Sequence, residues 1–167
     1  MAARAVREPK NPKSCHERAL GLLAVRPRSS RELERRLLAA GFEREEVTEV
    51  LGRLEAVGLV DDQAFARAVA EHGFGTRRSG AMAVRQALSQ KGVAPETVAA
   101  VVAEFGGGED ERALVLARSR VGRLAGLPPH TAHARLVGLL ARRGYPGAVA
   151  RRAARLALEL DEGDAEA

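Results

Sequence analysis

RSSRELERRLLAAGF, residues 28–42, decides how the chain folds. Ser29-x-x-Glu32 is the reciprocal pattern of a helix start: the serine hydroxyl accepts a first-turn N–H and the glutamate reaches back to the cap. Leu33 and Leu37 then stand four apart on one helix face. Gly41 falls where a helix end wants a left-handed residue, and Phe42 is placed to fold back on the last turn. The pattern recurs twice. Aligned on the glycine, Leu33, Leu37, Gly41 and Phe42 match Val84, Leu88, Gly92 and Val93, then Leu136, Leu140, Gly144 and Tyr145, at periods of 51 and 52 residues.

A second apolar series follows each glycine: Val47, Val50, Leu51 and Leu54; Val98, Val101, Val102 and Phe105; and Val149, Ala153 and Leu156, the last set needing a one-residue deletion. A further helix precedes each pair, over Cys15 to Val25, Asp61 to His72 and Glu111 to Leu124. Breaks fall at Arg26-Pro27, Gly58, Gly73 to Gly75, Gly106 to Gly108 and Pro128-Pro129. The pattern predicts an all-α protein of three tandem three-helix units with helix-turn-helix-like corners. Their expected bounds are 14–58, 59–107 and 108–160, between a flexible basic N-terminus (1–13) and an acidic tail (161–167). Short helix pairs cannot each bury an apolar stripe alone, and stacking similar units solves that.

Composition agrees: 46% apolar residues supply a core, while 3% aromatic residues favour helix over sheet. No apolar run is long enough to cross a membrane and the first fifteen residues lack a signal-peptide stretch, so a cytoplasmic location is expected. The single cysteine, Cys15, excludes an intrachain disulfide framework and reads as a small residue on a helix face.

Charge is segregated along the chain. Glu32 to Asp62 holds nine acids against four arginines. From His72 to Pro95 there is no acid and four bases, Arg77, Arg78, Arg85 and Lys91; from Arg112 to Leu158 there are ten arginines and again no acid. Cations without sequence-local partners imply an anionic partner, either nucleic acid or an acidic protein surface.

LLAVRPRSSRELERRLLAAGF, then VLGRLEAVGLVDDQAFARAVAEH and AVRQALSQKGV, resembles the RecX family of bacterial recombinase regulators, and the resemblance runs from about Cys15 to Leu158. Arg28-Ser29-Ser30-Arg31-Glu32-Leu33, Gly58-Leu59-Val60-Asp61-Asp62 with Phe65-Ala66, Lys91-Gly92-Val93 and Arg143-Gly144-Tyr145 carry it. The sequence departs at Ala87, where the family often has an acid, and its third unit is the most diverged. The resemblance implies an elongated, curved molecule that binds in the groove of the RecA nucleoprotein filament. There it would inhibit strand exchange, ATP hydrolysis and coprotease function in DNA repair and SOS regulation, as a monomer without chemistry of its own.

The residues expected to meet the filament or its DNA are Arg77, Arg78, Arg85, Lys91, Arg135, Arg142, Arg143, Arg151, Arg152 and Arg155. Arg135 and Arg142 share a helix face, as do Arg151 and Arg155. Contact with single-stranded and duplex DNA would be to phosphates, without sequence readout, because the candidate second helices are rich in alanine and apolar residues. Leu33, Leu37, Val84, Leu88, Leu136 and Leu140 are expected in the core, Gly41, Gly92 and Gly144 at the turns, and Ser29, Asp61 and Asp62 at helix starts. Asp61-Asp62 is read as capping rather than a catalytic pair. His130 and His133 are read as surface residues, and Gly106-Gly107-Gly108 as a linker lacking the lysine of a phosphate loop. No catalytic residue, metal or cofactor is expected. The alternative is a tandem helix-turn-helix transcription regulator that binds DNA by itself.

Overall fold

The computed structural model describes residues 13–159, so the expectations for the basic N-terminus, Lys13 apart, and for the acidic tail lie outside the described residues. Among the described residues there are nine α-helices and no strand. The chain separates into two compact units, one ending at Asp61 and one beginning at Asp62.

The first unit contains α1 (Cys15–Val25), α2 (Ser30–Ala39) and α3 (Arg44–Ala56). Ser29 and Glu32 form the reciprocal cap of α2, while the Ser30 hydroxyl donates to Glu55 of α3 at 2.9 Å. Ser14 and Glu17 build the same device on α1, and the backbone N–H of Ser14 holds the Glu17 carboxyl below its ordinary pKa. The buried Arg28 donates through Nε to the carbonyl of Leu22, 3.1 Å away near the end of α1. Its guanidinium closes a helix end that no glycine closes.

The second compact unit holds the second and third of the three-helix units: α4 (Asp62–Glu71), α5 (Ala81–Gln90) and α6 (Pro95–Phe105), then α7 (Glu109–Val121), α8 (Pro129–Arg142) and α9 (Gly147–Leu158). The glycine-rich stretch after α4, read from sequence as a break, is a π-helical turn over His72–Thr76 that buries Phe74. Gly73 makes this possible, because a Cβ there would press on Val84. A 3-10 turn, Gly122–Leu124, ends α7.

All three corners are the same object. Gly41, Gly92 and Gly144 have φ of 95°, 74° and 85°, and the N–H of the next residue donates back to the carbonyl of Leu37, Leu88 or Leu140 at 3.3, 3.2 and 3.2 Å. Those leucines are fully buried. Each first helix also carries two fully buried small residues four apart, Cys15 and Ala19, Ala66 and Ala70, Ala113 and Ala117, which let it lie close to its neighbours. Burial pushes the Cys15 thiol above its ordinary pKa, with Glu46 adding to the effect.

The third unit needs no deletion. α3, α6 and α9 all begin three residues after the corner glycine, at Arg44, Pro95 and Gly147. Ala150, Ala153 and Ala154 are buried where Val47, Val50 and Leu51, or Val98, Val101 and Val102, are buried in the other units. Val149 is half-buried and Leu156 is 47% exposed. Alanine carries too little apolar surface to mark a face in sequence, so the larger side chains on the wrong register drew the alignment.

Leu37→Ala, Leu88→Ala and Leu140→Ala should each lower stability in urea denaturation by about 2–5 kcal/mol. Ala153→Leu should cost about 1–3 kcal/mol by overpacking, whereas Leu156→Ala should cost under about 0.5 kcal/mol.

Candidate partner-binding surface

Helix α5 has no side-chain cap of its own. Its first donors are taken by the third unit: the N–H of Gly80 donates to Arg143 O at 2.8 Å, that of Ala81 to the Glu109 carboxylate at 2.9 Å, and that of Met82 to Gly144 O at 3.3 Å. The contact is backbone on backbone. A Cβ on Gly80 would run into the Gly144 carbonyl, and one on Gly144 into the backbone of Ala83.

The segment leading into α5 is tied down as well. The Arg143 guanidinium donates to Arg77 O at 2.8 Å, and the buried Tyr145 hydroxyl donates to Arg78 O at 2.6 Å. Burial raises the Tyr145 pKa, which keeps the hydroxyl a donor. Arg78 is held at φ 48°, a conformation that arginine rarely adopts. Both carbonyls point into the joint while both side chains are exposed. The loop therefore presents two guanidinium groups to solvent from a backbone fixed by the third unit.

Arg85 is also exposed, whereas Lys91 is half-buried with its ammonium 5.7 Å from the centre of the Phe65 ring. Arg135 and Arg142 are brought together, as their spacing requires: both line an open groove of about 630 Å3 along α8. Arg120 and Arg123, which the sequence reading did not place in a site, line it too, over a floor that includes Leu124 and Leu139. Their signal was Arg-x-x-Arg at the end of α7.

Other arginines of the acid-free segment are engaged in the fold. Arg152 is ion-paired with Asp110 in the first turn of α7. Arg143 holds the joint, and Arg112 donates to the carbonyls of Gly106 and Gly107 with its guanidinium 4.8 Å from the Phe74 ring centre. The partners of Arg143 and Arg152 are distant in sequence and those of Arg112 are backbone carbonyls, so charge spacing along one helix does not announce them. Arg151 is exposed and Arg155 half-buried.

The histidine reading needs correction. His130 is exposed, but His133 is buried, with Nε2 3.4 Å from the carbonyl of Arg151. It lies on the α8 face that carries Ala132, Leu136 and Leu140. Asp61 precedes α4 and Asp62 opens it. Among the described residues no group of three His, Cys, Asp or Glu side chains is close enough to hold a metal ion, and no helix is long and apolar enough to cross a membrane.

Corner, core and cationic loop together define a tandem three-helix repeat protein. Comparison with known proteins places it further. The family domain described as RecX, first three-helix domain, matches residues 15–54; the second matches 61–102 and the third 108–154. The regulatory protein RecX of Amycolatopsis mediterranei is 37% identical over 139 residues, covering 83% of this chain and 79% of that one. That of Xanthomonas axonopodis pv. citri is 38% identical over 143 residues, covering 86% and 87%. The crystal structure of RecX from Lactobacillus salivarius superposes with a TM-score of 0.74 at 17% identity, over 86% of this chain and 94% of that one, and shares the fold. The chain belongs to the RecX family of regulatory proteins.

Tyr145→Phe should lower stability by about 1–3 kcal/mol, because it leaves the Arg78 carbonyl unpaired in the joint. Gly41→Ala, with space for a Cβ, should cost about 1–2 kcal/mol for its positive φ. Gly144→Ala should cost several times more, and the ratio of the two in thermal unfolding measures the joint.

Proposed function

We propose that this chain is a non-enzymatic modulator of RecA that docks in the groove of the RecA nucleoprotein filament and inhibits strand exchange, ATP hydrolysis and coprotease function. The observation that supports this reading is the fixed loop: Arg77 and Arg78 face solvent while their carbonyls are bound by Arg143 and Tyr145. A preorganised cationic loop meets phosphate or acidic side chains with little ordering cost. Arg85, Lys91, Arg135, Arg142 and Arg151 extend the basic surface. Arg143, Arg152 and Arg155 contribute from positions with contacts inside the fold.

The modulator acts by binding one filament state more tightly than another, since a ligand shifts an equilibrium only through that difference. Linked units raise each other's effective concentration on a repetitive partner. It works as a monomer in the cytoplasm and contacts DNA through phosphates without reading sequence.

The test is the triple variant Arg77→Glu, Arg78→Glu, Arg85→Glu. Its circular dichroism and melting should match wild type, because exposed side chains contribute little to stability. Inhibition of ATP hydrolysis by RecA on single-stranded DNA should be lost. The slope of log affinity against log salt should become shallower by about 3 units, roughly one per lost phosphate contact. Unchanged inhibition would remove this face from the mechanism, and tight binding to one naked duplex sequence without RecA would favour a transcription regulator.

A further inference from the structure

The groove along α8 combines positive charge with apolar surface. Arg120, Arg123, Arg135 and Arg142 surround it, no acid lines it, and none of the four is in an ion pair among the described residues. The Nε of Arg120 is buried without a hydrogen-bond partner there. The exposed guanidinium groups of Arg123, Arg135 and Arg142 are what an occupant can reach, and a carboxylate makes charge-assisted hydrogen bonds to them. The leucines of the floor add a requirement that a bare phosphate chain does not meet: the occupant must offer apolar groups as well as charge.

We propose that the occupant is the chain's own acidic segment, residues 160–167, and that the groove and this segment form an intramolecular switch over the basic surface. Charge complementarity selects it. From Arg112 to Leu158 the chain contains no acid, and the acids of the first turn of α7, Glu109, Asp110 and Glu111, do not line the groove; after Glu159 come Leu160 and then Asp161, Glu162, Asp164 and Glu166. Leu158, the last residue of α9, packs against the same core as Leu124 of the groove floor, so the segment starts from the core that carries the groove. Eight extended residues reach about 26–29 Å, and tethering gives the segment a local concentration of roughly millimolar order. Because Arg135 and Arg142 lie in the groove, the docked segment competes with any anionic partner for them. The inference goes beyond the RecA reading and does not depend on it.

The test uses the full chain. Cys15→Ala with Ala167→Cys leaves one attachment point for a nitroxide, and amide resonances are read at about 50 mM salt, where the Debye length is near 14 Å. Broadening should concentrate on Arg120, Arg123, Arg135 and Arg142. It should disappear in about 1 M salt, in the variant Asp161→Asn, Glu162→Gln, Asp164→Asn, Glu166→Gln, and in Arg123→Gln with Arg135→Gln. Neutralising the four acids should also tighten binding to an oligothymidylate. That gain should exceed, by about threefold or more, the gain the same change gives in the Arg123→Gln, Arg135→Gln background, a coupling larger than independent sites show. Broadening centred on Arg77 and Arg78, broadening spread evenly over α7 to α9, or equal gains in the two backgrounds would overturn the proposal. Loss of RecA inhibition in the loop variant would leave it standing, because neither readout contains RecA.

Discussion

Each unit is organised by one hydrogen bond: the N–H of the residue after a left-handed glycine returns to the carbonyl of a leucine five positions back. The leucine side chain fills the core while its carbonyl receives the returning backbone, so one residue sets both the packing and the path of the chain. The residue after the glycine can then stay apolar and turn inward, as Val93 and Tyr145 do. In the third unit the corner acquires a further task. The carbonyls of Arg143 and Gly144 face outward and receive the start of α5. That is possible only because neither Gly80 nor Gly144 has a Cβ to hold the backbones apart.

The distribution of charge follows from this arrangement. The first unit pairs many of its charges internally: Arg26 with Glu32, Arg31 and Arg44 with Glu34, Arg53 with Glu49. In the second compact unit, Arg67 meets Glu104 and Arg152 meets Asp110, while Arg112 and Arg143 are engaged by backbone carbonyls. The arginines of the acid-free segment therefore fall into two kinds. Some hold the joint, and others, at Arg123, Arg135, Arg142 and Arg151, are turned away from it. A surface ion pair adds little to stability, so leaving these cations at the surface costs the fold little.

Much of the fold was legible because its signals are local. Ser29 with Glu32, Leu33 with Leu37, and Gly41 each act within one or two turns, and their recurrence at Val84 and Leu136 multiplied the signal. The Ser14-x-x-Glu17 cap is a signal of the same local kind. What escaped was small or distant. Ala150 and Ala154 are core residues whose methyl groups leave no mark on an apolar pattern, so of the buried alanines of α9 only Ala153 stood in the expected series, and Ala70 is silent for the same reason. His133 is buried by α8 packing that no spacing in its neighbourhood announces. For the basic surface, the sequence separated cations from anions correctly along the chain. It could not say that Asp110 lies opposite Arg152, because the two stand 42 positions apart.

The cap that α5 borrows has a consequence for the order in which the chain can mature. Synthesis proceeds from the N-terminus, and domains generally fold as they emerge. The first unit contains every cap its helices use, so it can close as soon as Leu54 and Val60 are available. The middle repeat cannot finish in the same way. The acceptors for Gly80 and Met82 are Arg143 and Gly144, made more than sixty residues later. Until the third corner exists, the helix carrying Val84 and Leu88 has an open N-terminus. The sequence period draws three modules, but vectorial folding meets two: one that is complete at once, and one whose first half waits for its second.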